Sequence, residues 1–232
     1  MEPTSAAFWI ALIQIIWVNI LLSGDNAVVI ALAARSLPAH QQKRAIVAGS
    51  VAAIVMRIVL TLVAAQLLLL PWLKTVGALL LVYIGVTLLL PEGEQSEEGG
   101  GTGTMAAAIR TILVADLVMS LDNVVAVAAA AMGDMTLLVA GLAISIPLVI
   151  FGSSLLLKII GKFPVIVWVG AALLGFVAGE MLVGDPALDA PLHRMDAMLG
   201  ISHHSMSLMA GVVGAVAVLA LGKFFLLRHQ KA

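Results

Sequence analysis

Ser23-Gly24-Asp25-Asn26 and Ser120-Leu121-Asp122-Asn123 each sit inside a long apolar run, and matching positions of the two motifs stand 97 residues apart. A carboxylate beside an amide within hydrocarbon is costly, and such residues face a bundle interior or a water-filled cavity, where they mark ion paths and binding sites. The motif occurs twice. We read the pair as facing each other midway across a membrane and holding a divalent metal ion between them.

Working outward, the surroundings are those of a membrane protein. Of 232 residues, 62% are hydrophobic and 11% charged, against roughly 45–50% and 25% in soluble domains. A bilayer-spanning helix needs about 20 mainly apolar residues, and the chain has room for seven. The predicted class is all-α, polytopic, with seven transmembrane helices near 6–34, 45–70, 73–90, 105–132, 136–160, 165–183 and 206–227. The net charge of −1 argues against a nucleic-acid partner, and the absence of cysteine excludes disulfides, thiolate ligands and cysteine catalysis. Glu2 without a basic n-region does not read as a cleaved signal peptide, so the first span is expected to stay. An intramembrane enzyme is disfavoured: the spans hold no embedded histidine, no Gly-x-Ser-x-Gly run and no Tyr-Asp or Gly-x-Gly-Asp motif.

Orientation follows from lysine and arginine beside the spans. One side carries Arg35, Lys43, Arg44, Arg110, Lys158, Lys162, Lys223, Arg228 and Lys231; the other has Lys74 and Arg194. The C-terminus is therefore expected inside and the N-terminus outside.

The two motifs belong to a longer repeat. Asn19–Ala34 set on Asp116–Ala131 without gaps matches at seven of sixteen positions, and Asn19 falls on Asp116. Fainter echoes place Val47-Ala48-Gly49 on Val139-Ala140-Gly141 and Gly77-Ala78 on Gly170-Ala171. The expected organisation is a three-helix repeat over 1–90, an acidic flexible cytoplasmic linker over 91–104, a second repeat over 105–183, an extracytoplasmic loop over 184–205, and a seventh helix with a basic tail over 206–232. An odd number of spans per repeat makes the halves inverted. Inverted repeats with polar breaks at matching positions are a transporter signature, with the site at the repeat interface.

On a helix, positions i, i+3, i+4 and i+7 share a face. Asn19, Ser23 and Asn26 do so in the first span, and Asp116, Met119, Ser120 and Asn123 in the fourth. Asp25 and Asp122 flank those faces, and local unwinding would turn them inward. Gly24 favours this in the first span, while Leu121 gives no such help in the fourth. The candidate ligands are Asp25, Asn26, Asp116, Asp122 and Asn123, with Asn19, Ser23, Ser120 and Met119 as secondary candidates. Their oxygens suit Mg, Ca or Mn rather than zinc or copper, and the Met119 sulfur would tilt the choice toward manganese. Arg57, the one basic residue deep in a span, reads as a counter-charge or gate for a site carboxylate, or as a structural partner of Glu180. Glu180 itself is a candidate proton relay or exit group, or an ordinary interfacial acid. His193, His203 and His204 read as solvated loop residues or as outer collectors of metal.

At these residues the chain resembles the TerC family of integral membrane proteins, within the wider LysE-like transporter group. The resemblance is carried by SGDNAVVIALAARSLP (23–38), ADLVMSLDNVVAVAAA (115–130) and SIPLVIFGSSLLLKII (145–160) with KFPVIVWVGAALLG (162–175). It covers most of residues 10–181, and short length without a cytoplasmic domain sets the chain nearer the small YjbE-like branch. It implies a seven-span manganese exporter with Asp25, Asn26, Asp116, Asp122 and Asn123 as ion ligands. The expected function is export of Mn2+ or a similar divalent ion across the bacterial inner membrane by alternating access. The metal is substrate and no cofactor is permanently bound. The bilayer and the ion are the expected partners, and the oligomeric state is left open. The alternatives are a LysE-like exporter of amino acids or small organic solutes, and a non-transport helper subunit.

Overall fold

The computed structural model describes residues 6–21, 24–67, 70–90, 104–130, 134–189, 192 and 202–229; within these, the side chains at 6–7, 18–21, 24, 62–67, 122–130, 135 and 229 are not described. The helices are α1 (Ala6–Leu21), α2 (Gly24–Arg35), α3 (Ala39–Leu67), α4 (Leu73–Leu89), α5 (Met105–Ala130), α6 (Met135–Lys162), α7 (Val165–Val183) and α8 (His203–His229). Among the described residues there is no strand. Among the described residues four segments, Ala39–Thr61, Thr136–Lys162, Val165–Val183 and His203–Arg228, are long and apolar enough to cross a membrane, and Phe8–Trp17 and Leu73–Leu89 are shorter apolar helices. The linker 91–103 and the loop segment 193–201, with His193, lie outside the described residues.

Within the first expected span α1 covers Ala6–Leu21 and α2 covers Gly24–Arg35, and the expected break at the first motif falls on residues 22–23, which lie outside the described residues. At the second motif α5 runs as one helix through Ser120, Leu121, Asp122 and Asn123, against the expectation of a break there. With leucine at 121 in place of glycine, the i to i−4 ladder has no weak point there.

The chain forms two compact units, Met1–Leu68 with Gly99–Ile159, and Leu69–Glu98 with Ile160–Ala232. Each draws helices from both sequence halves. In the first, α1 packs on α6 through Phe8, Ala11, Leu12, Ile15, Leu137, Leu138 and Leu142. α2, α3 and α5 meet at Ile30, Ala34, Ile46 and Ile112. Two glycine contacts carry the repeat into space. Gly49 of α3 lies against Ile112 of α5, and Gly141 of α6 lies against Ile15 of α1. Gly49 and Gly141 are counterparts in the repeat, and Ile15 and Ile112 are separated by the same 97 residues as the motifs. The two contacts thus join aligned positions of the sequence with partners exchanged.

The second unit is α4, α7 and α8. Gly175 and Gly179 of α7 lie one turn apart at the crossing with α8, where a Cβ on either would run into the backbone of Gly214 or Ala210. Small residues at that spacing let helix backbones touch in lipid, where packing rather than water expulsion drives association. At the head of α4 the buried Asp185 carboxylate accepts from Trp72 N (3.0 Å), Thr75 N (2.8 Å), Thr75 Oγ1 (2.9 Å) and Ala187 N (2.8 Å). These bonds satisfy donors that a helix start leaves open and hold Trp72 at φ 69°, a left-handed conformation unusual for a side chain of that size. Burial alone would raise the Asp185 carboxyl, but the bonds from Ala187, Thr75 and Trp72 outweigh it and hold the group below the usual carboxylate range.

Outward faces are apolar: Val47, Val51, Val55 and Val59 on α3, Ile144, Leu148, Phe151 and Leu155 on α6, and Val212, Val213 and Val216 on α8 are all exposed. Patches of that extent mark a lipid-facing or protein-facing surface.

Two outcomes follow from this packing. Gly179→Leu should separate α7 from α8 and cost about 3 kcal/mol, at the upper end of the usual overpacking range; thermal unfolding in detergent reads it, and an unchanged melting temperature would contradict the backbone contact. Asp185→Asn should cost about 1–3 kcal/mol at pH 7. Because the native carboxyl is depressed, its contribution is complete above the unfolded value of about 3.9 and is lost as pH falls through the lower native value. Wild type and variant should therefore converge only in strong acid.

Candidate functional site

The polar groups that sequence reading singled out are concentrated in the first unit. Asp25 stands in the first turn of α2, half-buried, its Oδ1 accepting from Asn26 N at 2.7 Å. An acid suits this end of the helix, where free N–H groups give a partial positive charge. Asn26 is buried beside it. α2 is closed at its other end by Gln42, whose Nε2 donates to Leu37 O (2.9 Å) and Arg35 O (3.4 Å).

Across the unit, Arg57 of α3 reaches α5. Its Nη2 donates to Asp116 Oδ1 at 2.5 Å and its Nε to Ser120 Oγ at 3.0 Å, while Ser120 Oγ donates to Asp116 Oδ2 at 3.3 Å. Arg57 is 3% exposed and Asp116 5%. Asp116 and Ser120 lie four residues apart, so one face of α5 presents both to the guanidinium. The carboxylate of Arg57 is thus Asp116. Glu180, the other candidate partner, lies half-buried on α7 in the second unit.

A cavity of about 10 Å³ opens beside this pair, lined by Asn26, Ile30, Ser50, Ala53, Ile54, Arg57, Asp116 and Val149. That is room for one water-sized occupant. Ser50 is 1% exposed and its hydroxyl has no hydrogen-bond partner among the described residues. Ser50 escaped the sequence reading because a lone serine on a long helix gives no pattern. Its place one helical turn from Ala53 and Ile54 and two from Arg57 is the signal that was there to find.

Three predicted site residues, Asn26, Asp116 and Ser120, are brought together around Arg57 and the cavity or its immediate neighbour, with Asp25 next to Asn26. Met119 is buried on α5. Ser23 lies outside the described residues, as do the side chains of Asn19, Asp122 and Asn123. Among the described residues no three acidic or imidazole groups gather at a metal-holding spacing. His203 and His204 are exposed at the start of α8.

The charged pair is not echoed at the aligned positions. Carrying the match of Gly49 with Gly141 forward sets Arg57 on Val149, and the motif alignment sets Asp116 on Asn19. Arg57 from the first half and Asp116 from the second thus align with valine and asparagine.

These features define a multi-pass membrane protein with a charged pair and an oxygen-lined cavity buried among its helices. The chain belongs to the TerC family of integral membrane proteins, whose sequence pattern matches residues 4–231. It is 43% identical over 181 residues to the membrane protein YjbE of Bacillus subtilis (strain 168), covering 78% of this chain and 83% of that one. Over 171 residues it is 28% identical to YceF of the same organism, covering 69% and 66%. No solved structure matches it.

Breaking a buried ion pair from one side leaves an uncompensated charge, at about 3–5 kcal/mol. Asp116→Ala should therefore lower the melting temperature in detergent sharply. The double variant Arg57→Val with Asp116→Asn, which copies the residues at the aligned positions, should recover most of the loss. Asp116→Ala melting like wild type would contradict a stable pair.

Proposed function

We propose that this protein is a secondary transporter that exports Mn2+, or a similar divalent cation, across the bacterial inner membrane by alternating access. Asp25 and Asn26 at the head of α2 and Asp122 and Asn123 on α5 would hold the ion, with Asp116 beside them. The observation that carries this reading is the cavity: it is walled by Asn26, Asp116 and the Ser50 hydroxyl, and at about 10 Å³ it suits an ion rather than an amino acid. Oxygen donors with no sulfur or imidazole among them match hard divalent cations.

The reciprocal contacts of Gly49 with Ile112 and Gly141 with Ile15 support two inverted repeats of three spans, followed by α8 as the seventh. In this reading, rocking of one group of helices against another opens the site to either side in turn. The lysine and arginine bias puts the N-terminus outside and the C-terminus inside.

The test is growth of cells in high manganese, with cellular manganese measured alongside. Wild type should confer tolerance and lower the metal content, whereas Asp25→Ala and Asp122→Ala should lose both effects while still being inserted. Retained tolerance in both variants would contradict the site. Liposomes loaded with a manganese-sensitive dye should respond to the purified protein. A response to amino acids instead would favour the solute-exporter alternative, and silence toward both would favour the helper subunit.

A further inference from the structure

We propose that Arg57 is a tethered counter-cation: it occupies Asp116 while the site is empty and is exchanged for the transported ion, so that guanidinium and cargo compete for one carboxylate. This rests on the metal-transport reading above and specifies how that site is regulated.

The geometry of the pair is the first support. Arg57 Nη2 holds one Asp116 oxygen, Arg57 Nε holds Ser120, and the Ser120 hydroxyl closes on the other Asp116 oxygen. Both carboxylate oxygens are therefore occupied, one by a cation and one by a hydroxyl, as they would be beside a bound metal and its oxygen shell. Placement is the second. Both partners line the cavity instead of being sealed away from it, and the same wall holds the buried Ser50 hydroxyl, which has no hydrogen-bond partner among the described residues. A pair that only joined α3 to α5 would need no oxygen-lined space at its side.

Asymmetry is the third. The counterpart of Arg57 is Val149, which lines the same cavity, and the counterpart of Asp116 is Asn19. Arg57 comes from the first half and Asp116 from the second, and neither has a charged residue at its aligned position, so guanidinium and acid occur together and are absent together.

Electrostatics then dictates the exchange. A divalent ion at Asp116 with the guanidinium still in place would set two cations a few ångströms apart in a medium of low dielectric, where like charges repel strongly. The long arginine stem lets the head withdraw. When the ion departs, a bare buried carboxylate is costly, and the guanidinium returns. A monovalent ion gains nothing over arginine in charge, so the tether also favours divalent cargo.

The experiment is calorimetric titration of the full-length protein in detergent with MnCl2 alone, on wild type, Arg57→Gln, Arg57→Lys and Asp116→Asn. Arg57→Gln should bind Mn2+ at least tenfold more tightly than wild type, and its melting temperature should rise further with Mn2+. The same variant should move Mn2+ into dye-loaded liposomes more slowly, because nothing displaces the ion. Arg57→Lys keeps the charge but cannot fork between Asp116 and Ser120, so it should bind Mn2+ with an affinity between the two. It serves as the test should the glutamine variant not fold. Asp116→Asn should bind less tightly than wild type. Wild-type binding with Arg57→Gln, or Arg57→Lys in its place, equal or weaker overturns the exchange and leaves the transport reading standing. No Mn2+ binding by any of the four proteins overturns the transport reading and the exchange with it.

Discussion

A carboxylate cannot stay ionised in hydrocarbon without a partner, and the first unit is arranged to give Asp116 one. Arg57 must come from α3 and Ser120 from α5, so α3 and α5 have to lie side by side. Gly49 allows that approach by leaving room for Ile112. Once the pair is in place, the adjoining wall of α2 brings Asn26 to the same cavity. Packing and polarity are solved together: lipid-facing stripes of valine, isoleucine and leucine carry no polar burden, and the polar side chains turn inward.

Gly49 on Ile112 and Gly141 on Ile15 join aligned positions of the two sequence halves. The polar residues of those halves differ. Asp25 and Asn26 lie in the first turn of α2, whereas α5 carries Asp122 and Asn123 through an unbroken helix. The second half contributes the buried acid Asp116 and the first contributes its arginine.

Much of this was legible in the sequence because membrane segments advertise themselves. Continuous apolar runs gave the helices, and the rarity of charge within them drew attention to Asp25, Arg57, Asp116 and Asp122. The partner of Arg57 was not legible. Pairing across helices depends on register, and both Asp116 and Glu180 were open to it until α3 was seen against α5. Ser50 and Asp185 were missed for related reasons. Ser50 matters only through the cavity it faces, and Asp185, one of three aspartates in a polar loop, matters through donors at the head of α4, 110 residues or more away in sequence. The continuity of α5 was half legible: the absence of glycine at 121 pointed to it, while the repeat pointed to a break.

The central claim is that the two acid–amide motifs converge on one ion. Anomalous diffraction at the manganese edge from crystals grown with MnCl2 tests it most directly. A single strong peak is expected between the start of α2 and α5, with Asp25 and Asp122 oxygens at about 2.2 Å, a typical distance for a hard divalent cation. A peak elsewhere, such as at His203 and His204 at the start of α8, or Asp25 and Asp122 facing opposite surfaces with no peak between them, would contradict it.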